Sequence, residues 1–143
     1  MILYLDASAL VKLYVHEAES DVVTASVRRS PFVATCRVAY VEVRAALARA
    51  AREKRIPRGD LRELTRALDQ DWKGYVIVEV TEGLVRAAGE LAARHGLRGY
   101  DALHLASALT LVEEGDLEVA FACYDVSLEG AARSEGLYLP HVA

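Results

Sequence analysis

The sequence predicts an α/β fold, a parallel sheet covered by helices on both faces, and three observations predict it. Met1-Ile2-Leu3-Tyr4-Leu5 is apolar or aromatic throughout, without the alternation of a half-solvated strand, as expected of a strand buried on both sides. Short apolar runs of this kind alternate along the chain with segments of helical period, which is the pattern of a parallel sheet in an α/β sandwich. Two of the runs end in an acid just ahead of a helix, at Asp6 and Asp125. In open α/β sheets, ligand sites lie outside the carboxyl ends of the strands.

Taken in order, the first strand leads into a helix from Ser8 to about Val15, with Leu10, Leu13 and Tyr14 at helical spacing. A second helix is expected from near Ala18 to Arg29, and Ser30-Pro31 breaks it. Phe32-Val33-Ala34-Thr35 is the next strand. A long Ala-rich helix follows from Arg37 to about Arg55, with Val38, Val41, Ala45 and Ala48 on one stripe. Pro57 opens the helix that carries Leu61, Leu64 and Leu68 to Trp72, and Gly74 stops it. Tyr75–Val80 is rich in β-branched residues and reads as a strand. Thr81-Glu82 opens a helix that ends at His95-Gly96. Another helix runs from about Tyr100 to Val112, closed by Gly115, and Val119–Cys123 is a buried strand. A short helix from Leu128 to Ser134 and a last strand near Leu137–Leu139 complete the chain.

The 143 residues are 53% hydrophobic, which suits one folded domain over 1–143 and excludes a disordered tail. No apolar run reaches the length that spans a bilayer, and Met1 enters a strand with no cationic leader, so neither membrane anchoring nor secretion is expected. Cys36 and Cys123 lie far apart and read as buried thiols of a reducing compartment, the cytoplasm. With 17 basic and 21 acidic residues the net charge is −4, not the basic excess usual in nucleic-acid binders. A local basic patch or a bound cation would have to offset it.

Four acids stand in unusual surroundings. Asp6 and Asp125 follow buried strands, where each can also cap its helix. Glu42 lies among Val38, Ala39, Ala45 and Ala46, with no base three or four residues away to pair with it. It therefore needs a partner, a metal or a route to solvent. Asp101 opens the most apolar helix of the chain; the helix dipole tolerates it there without accounting for it. Four such acids converging on one sheet end would need cations. Oxygen ligands without a Cys or His cluster suit Mg2+ or Mn2+, and such a site serves phosphodiester cleavage.

Four stretches resemble the PIN domains, and specifically the VapC-type toxin ribonucleases of toxin–antitoxin pairs. They are Leu5-Asp6-Ala7-Ser8-Ala9-Leu10-Val11-Lys12-Leu13-Tyr14, Val41-Glu42-Val43-Arg44-Ala45-Ala46-Leu47, Tyr100-Asp101-Ala102-Leu103-His104-Leu105-Ala106 and Tyr124-Asp125-Val126-Ser127-Leu128. The resemblance implies a five-stranded parallel sheet in a three-layer α/β/α sandwich, Mg2+-dependent RNA cleavage, a homodimer, and a cognate antitoxin that blocks the site. By position it makes Asp6 and Asp101 the main metal ligands and Glu42 and Asp125 the completing acids, with Ser8 capping the first helix and steadying the site. The family usually carries Thr or Ser two residues before the last acid, and this chain has Cys123 there.

His104, one turn after Asp101, reads as a hydrogen-bonded histidine of a packed helix, with a place in the site as the alternative. Arg49, Arg52, Lys54, Arg55 and Arg58 surround the turn between two long helices, either as a solvated face or as an RNA or antitoxin contact. Two rival functions are a phosphatase with Asp6 as nucleophile and a non-catalytic interaction domain. The first commonly has a second Asp two residues on, where this chain has Ser8.

Overall fold

The computed structural model describes residues 1–141. Four strands, β1 (Ile2–Leu5), β2 (Phe32–Cys36), β3 (Val76–Val78) and β4 (Val119–Ala122), form one parallel sheet in the order β3-β2-β1-β4. Helices α1 (Ala7–Leu10), α2 (Ser20–Arg29), α3 (Ala39–Arg52), α4 (Asp60–Trp72), α5 (Glu82–His95), α6 (Gly99–Gly115) and α7 (Val126–Ser134) cover it.

β1 is central because both of its faces are apolar. Leu3 and Leu5 point to one side with Ala120 and Ala122, where Leu10, Val43, Leu47 and Leu68 pack on them. Ile2 and Tyr4 point to the other with Val119 and Phe121, beneath Leu84, Leu91, Leu105 and Leu128. The period-2 alternation of a strand thus feeds two cores, one under α1–α4 and one under α5–α7. At the carboxyl end of β1 the buried Thr35 hydroxyl donates to the Leu5 carbonyl (2.7 Å), and the Asp6 N–H donates to the Ala122 carbonyl (3.2 Å). These bonds fix the chain where it leaves the sheet.

The fifth strand expected at Leu137–Leu139 is reduced to a single bridge between Ala120 and Tyr138, with the Phe121 N–H donating to the Tyr138 carbonyl at 2.7 Å. Pro140 follows at once and has no N–H with which to continue a ladder. The helix expected over Ser8–Val15 is α1 followed by a 3-10 turn over Val11–Leu13. The next helix begins at Ser20 rather than Ala18 because Glu19 takes a left-handed conformation (φ 71°). α3 is shorter than its periodicity suggests and ends before Lys54, which is also left-handed (φ 60°). Its buried stripe is Ala39, Val43, Leu47 and Ala50, so Val41 is 59% exposed rather than part of the core.

Phe121 is fully buried and stacks on Tyr4 with ring centroids 5.4 Å apart, so it supports β1 from the next strand. Phe121→Ala is expected to destabilise the protein by about 3–5 kcal/mol, the cost of a large unfilled core cavity. Urea unfolding gives the value, and a loss below about 1 kcal/mol would mean that the two rings do not pack as described.

Candidate active site at the carboxyl end of the sheet

Asp6 lies between the end of β1 and the start of α1 and is 3% exposed. Its Oδ1 accepts from the Ser8 hydroxyl (2.7 Å) and from the Ala9 N–H (2.9 Å), so the carboxylate caps α1. No hydrogen bond among the described residues engages Oδ2. Burial pushes the Asp6 pKa up. Neighbouring His104, the Ser8 and Ala9 hydrogen bonds act against that shift, and the charge of Asp101 adds to it. Ser8 also accepts from the Tyr124 N–H (3.0 Å), which ties the first helix to the end of β4.

Asp125 occupies the matching position after β4, and its Oδ1 accepts from the Leu128 N–H at 2.9 Å to cap α7. Asp101 sits in the first turn of α6 with its side chain 19% exposed. Arg98, just ahead of α6, links the two. Its Nε donates to Asp101 Oδ2 at 3.1 Å and its Nη2 to Asp125 Oδ2 at 3.5 Å.

Glu42 reaches the same region from the first turn of α3, which follows β2. Its partner is not on its own helix. It is His104, whose Nε2 lies 2.7 Å from Glu42 Oε1, while His104 Nδ1 lies 2.7 Å from the Tyr4 hydroxyl. His104 is 1% exposed and Tyr4 fully buried. Burial raises the Tyr4 pKa well above its ordinary value, so the phenol keeps its proton. The imidazole bridges Tyr4 and Glu42, and with Tyr4 donating to Nδ1 the Nε2–H donates to Glu42. His104 is therefore both a packed helix residue and a direct support of a site acid.

Asp6, Glu42, Asp101 and Asp125 thus come from four different elements to one end of the sheet. As the side chains stand, however, no three acids, histidines or cysteines among the described residues are grouped to hold one cation. Each acid has its own polar partner: Ser8 for Asp6, His104 for Glu42, and Arg98 for Asp101 and Asp125. Cys123, at the position where the resemblance leads one to expect a hydroxyl, is buried. Its thiol pKa is pushed up by that burial and by the charge of Asp6, which keeps it neutral. Beside the acids a cleft of about 850 Å³ opens between α5 and α6, lined by Glu42, Arg98, Asp101, Val85 and Tyr100.

Sequence reasoning passed over Arg98 and Tyr4. A cation at a helix N-terminus is disfavoured by the dipole, and three residues before Asp101 that anomaly was the available signal. Tyr4 hid within an apolar run, where only its hydroxyl distinguishes it from the neighbouring leucines.

Strand-end carboxylates around a parallel sheet, supported by a buried histidine and an arginine, define an α/β domain whose candidate site lies at the carboxyl ends of its strands. The PIN domain family matches residues 3–116. Ribonuclease VapC45 of Mycobacterium tuberculosis is 39% identical over 135 residues, covering 94% of this chain and 92% of its own. In fold the chain is similar to FitAcB from Neisseria gonorrhoeae (TM-score 0.70, 18% identity, 100% of both chains). It is also similar to VapBC2 from Rickettsia felis bound to a promoter DNA fragment (TM-score 0.62, 14% identity, 97% of both chains). The chain belongs to the PIN-domain family, on its VapC branch.

Two outcomes follow from this geometry. His104→Leu leaves the Tyr4 hydroxyl and Glu42 without their partner, and should cost about 2–4 kcal/mol. Tyr4→Phe should cost about 1 kcal/mol, and the double variant less than the sum, because both single changes break one shared bond. Additive losses in denaturant titrations would show that the bond is not formed. Asp6→Asn keeps the cap while removing a buried charge whose pKa is raised by folding. An acid with a raised folded pKa weakens the fold while ionised, and the penalty disappears as pH falls through that pKa. Metal-free Asp6→Asn should therefore melt above wild type at neutral pH, with the gap closing on acidification. A gap that widens in acid would contradict the burial described.

Proposed function

We propose that the chain is a divalent-cation-dependent endoribonuclease, the toxin of a toxin–antitoxin pair, with Asp6 and Asp101 as the main ligands of Mg2+ or Mn2+. Glu42 and Asp125 complete the acidic centre. The observation that carries this reading is the arrival of four carboxylates from four elements at one sheet end, in a chain 39% identical to a named ribonuclease.

The residues fit a hard cation by the chemistry of their donors. They are carboxylate oxygens only, one of them (Asp6 Oδ2) with no hydrogen bond among the described residues, and Asp101 and Asp125 already share the positive charge of Arg98. A divalent ion bound there supplies a water of lowered pKa and neutralises charge on phosphate oxygens. The chain's own residues do the rest. Ser8 and the Ala9 N–H hold Asp6 Oδ1, leaving the other oxygen for a ligand. Tyr4, through His104, fixes Glu42 at the mouth of the α5–α6 cleft. Arg98 offers a guanidinium to an incoming phosphate once it leaves the two aspartates. The phosphatase reading loses ground because Ser8 stands where such an enzyme commonly carries a second aspartate.

The antitoxin partner is proposed by likeness to the VapBC and FitAcB complexes, and homodimerisation by the family resemblance. The latter is supported by exposed Val85 and Tyr100 beside the cleft, at 49% and 56%. Two buried free thiols and an RNA substrate suit a cytoplasmic protein. No helix among the described residues is long and apolar enough to cross a membrane.

Asp101→Asn tests the reading, since it keeps shape and capping ability while removing one charge. The variant should fold, melt at or above the wild-type temperature without metal, lose the metal-induced rise in melting temperature, and cut no RNA in Mg2+ or Mn2+. A folded variant cutting a mixed RNA panel at the wild-type rate would remove Asp101 from the site.

A further inference from the structure

The α3–α4 hairpin carries a concentration of charge that the acidic centre does not use. Residues 44–66 contain eight of the 17 basic residues and three of the 21 acidic ones, a local net charge of +5 on a chain of net charge −4. The five-residue basic run read from the sequence divides in the structure. Arg49 and Arg55 are both ion-paired to Glu53, each at 3.0 Å. Among the described residues Arg52, Lys54 and Arg58 are not, and they are joined by three arginines that the sequence run left out.

Arg44 on α3, Arg58 in the turn before α4, and Arg62 and Arg66 on α4 line one cleft of about 370 Å³. Arg58 also lines the adjoining cleft of Arg52 and Lys54 at the hairpin turn. The four arginines of the first cleft are exposed, and none has a carboxylate within ion-pair distance among the described residues. Arg44 instead donates to the Tyr40 hydroxyl (2.9 Å) and lies over its ring. Arg58, Arg62 and Arg66 recur every fourth residue, and the two on α4 are spaced about 6 Å along its axis. Like charges at that spacing on one helix face destabilise it slightly unless an anion joins them.

We propose that this row is a phosphate-binding exosite that holds the RNA backbone away from the cleavage point, and the proposal rests on the ribonuclease reading above. A regular file of guanidiniums can track a phosphodiester backbone without reading its sequence. A protein partner fits less well, because protein interfaces are organised around aromatic or aliphatic anchors, and no large apolar side chain between residues 44 and 66 is exposed. The row is tied to the acidic centre through α3, which carries Glu42 in its first turn and Arg44 two residues later. An RNA engaged at both places bends around the amino-terminal half of that helix, which favours folded or long substrates over short ones.

Arg62→Gln/Arg66→Gln tests the proposal, with exposed Arg133→Gln as the control and melting curves to confirm that each variant folds. Binding of a long labelled single-stranded RNA is measured by fluorescence anisotropy in EDTA over a range of salt, so that no cleavage intervenes. The double variant should bind at least about tenfold more weakly at low salt, and the slope of log affinity against log salt should flatten by about 1.4, the loss of two single-strand phosphate contacts. Arg133→Gln should match wild type, and a trinucleotide too short to span both places should be cut by the double variant as by wild type. Unchanged RNA affinity and slope in the double variant, or no RNA binding by wild type, would overturn the exosite. So would a loss confined to the complex with the antitoxin. If the variant loses RNA binding but wild type cuts no RNA with Mg2+ or Mn2+, the exosite stands and the ribonuclease reading fails.

Discussion

Mutual repulsion among carboxylates gathered at one end of a parallel sheet is the constraint on which the rest of this structure depends. Strand-end positions bring Asp6 and Asp125 there and helix first turns bring Glu42 and Asp101, so the charges are imposed by topology. Burial raises the pKa of Asp6, and Asp101 adds to that shift. Ser8, the Ala9 N–H and His104 work in the other direction on Asp6. Ser8 and the Ala9 N–H hold Asp6, His104 holds Glu42, and Arg98 lies between Asp101 and Asp125. Three side chains, Ser8, His104 and Arg98, thus serve the four acids, with Arg98 shared between Asp101 and Asp125.

That arrangement makes the hydrophobic core part of the site. Tyr4 belongs to the central strand, stacks on Phe121, and is also the far end of the hydrogen-bond chain that orients Glu42. Ser8 joins the start of the chain to the turn after β4, more than a hundred residues later. The sheet order β3-β2-β1-β4 puts β1 beside both β2 and β4, which lets three of the four acids sit around its end. The charge on the rest of the molecule is arranged differently. Arg37, Arg49, Arg55, Arg86 and Arg94 pair with glutamates, and among the described residues the α3–α4 hairpin keeps a row of arginines that do not.

Much of this was legible in the sequence because it depends on local pattern. An unbroken apolar run followed by an acid identified β1 with Asp6 and β4 with Asp125, and helical period placed Asp101 in its first turn. What was not legible depends on contacts across the fold. The partner of Glu42 lies 62 residues away, so no spacing rule could supply it. The stripe on α3 was misread because Ala occurs on all sides of that helix, and only the packed structure shows Ala39, Val43, Leu47 and Ala50 facing in. The fifth strand shrank to one bridge because a single Pro140 ends the ladder, an effect smaller than the apolar pattern of Leu137–Leu139 suggests.

The central claim is that this acidic sheet end is a cation centre. Crystals of the protein equilibrated with Mn2+ test it directly through anomalous scattering. The account predicts a strong anomalous peak within about 2.0–2.6 Å of carboxylate oxygens of both Asp6 and Asp101, with Arg98 drawn away from the aspartates. A fully equilibrated crystal with Mn2+ bound elsewhere, or with the Arg98 bridge intact and no peak beside Asp6, would contradict it.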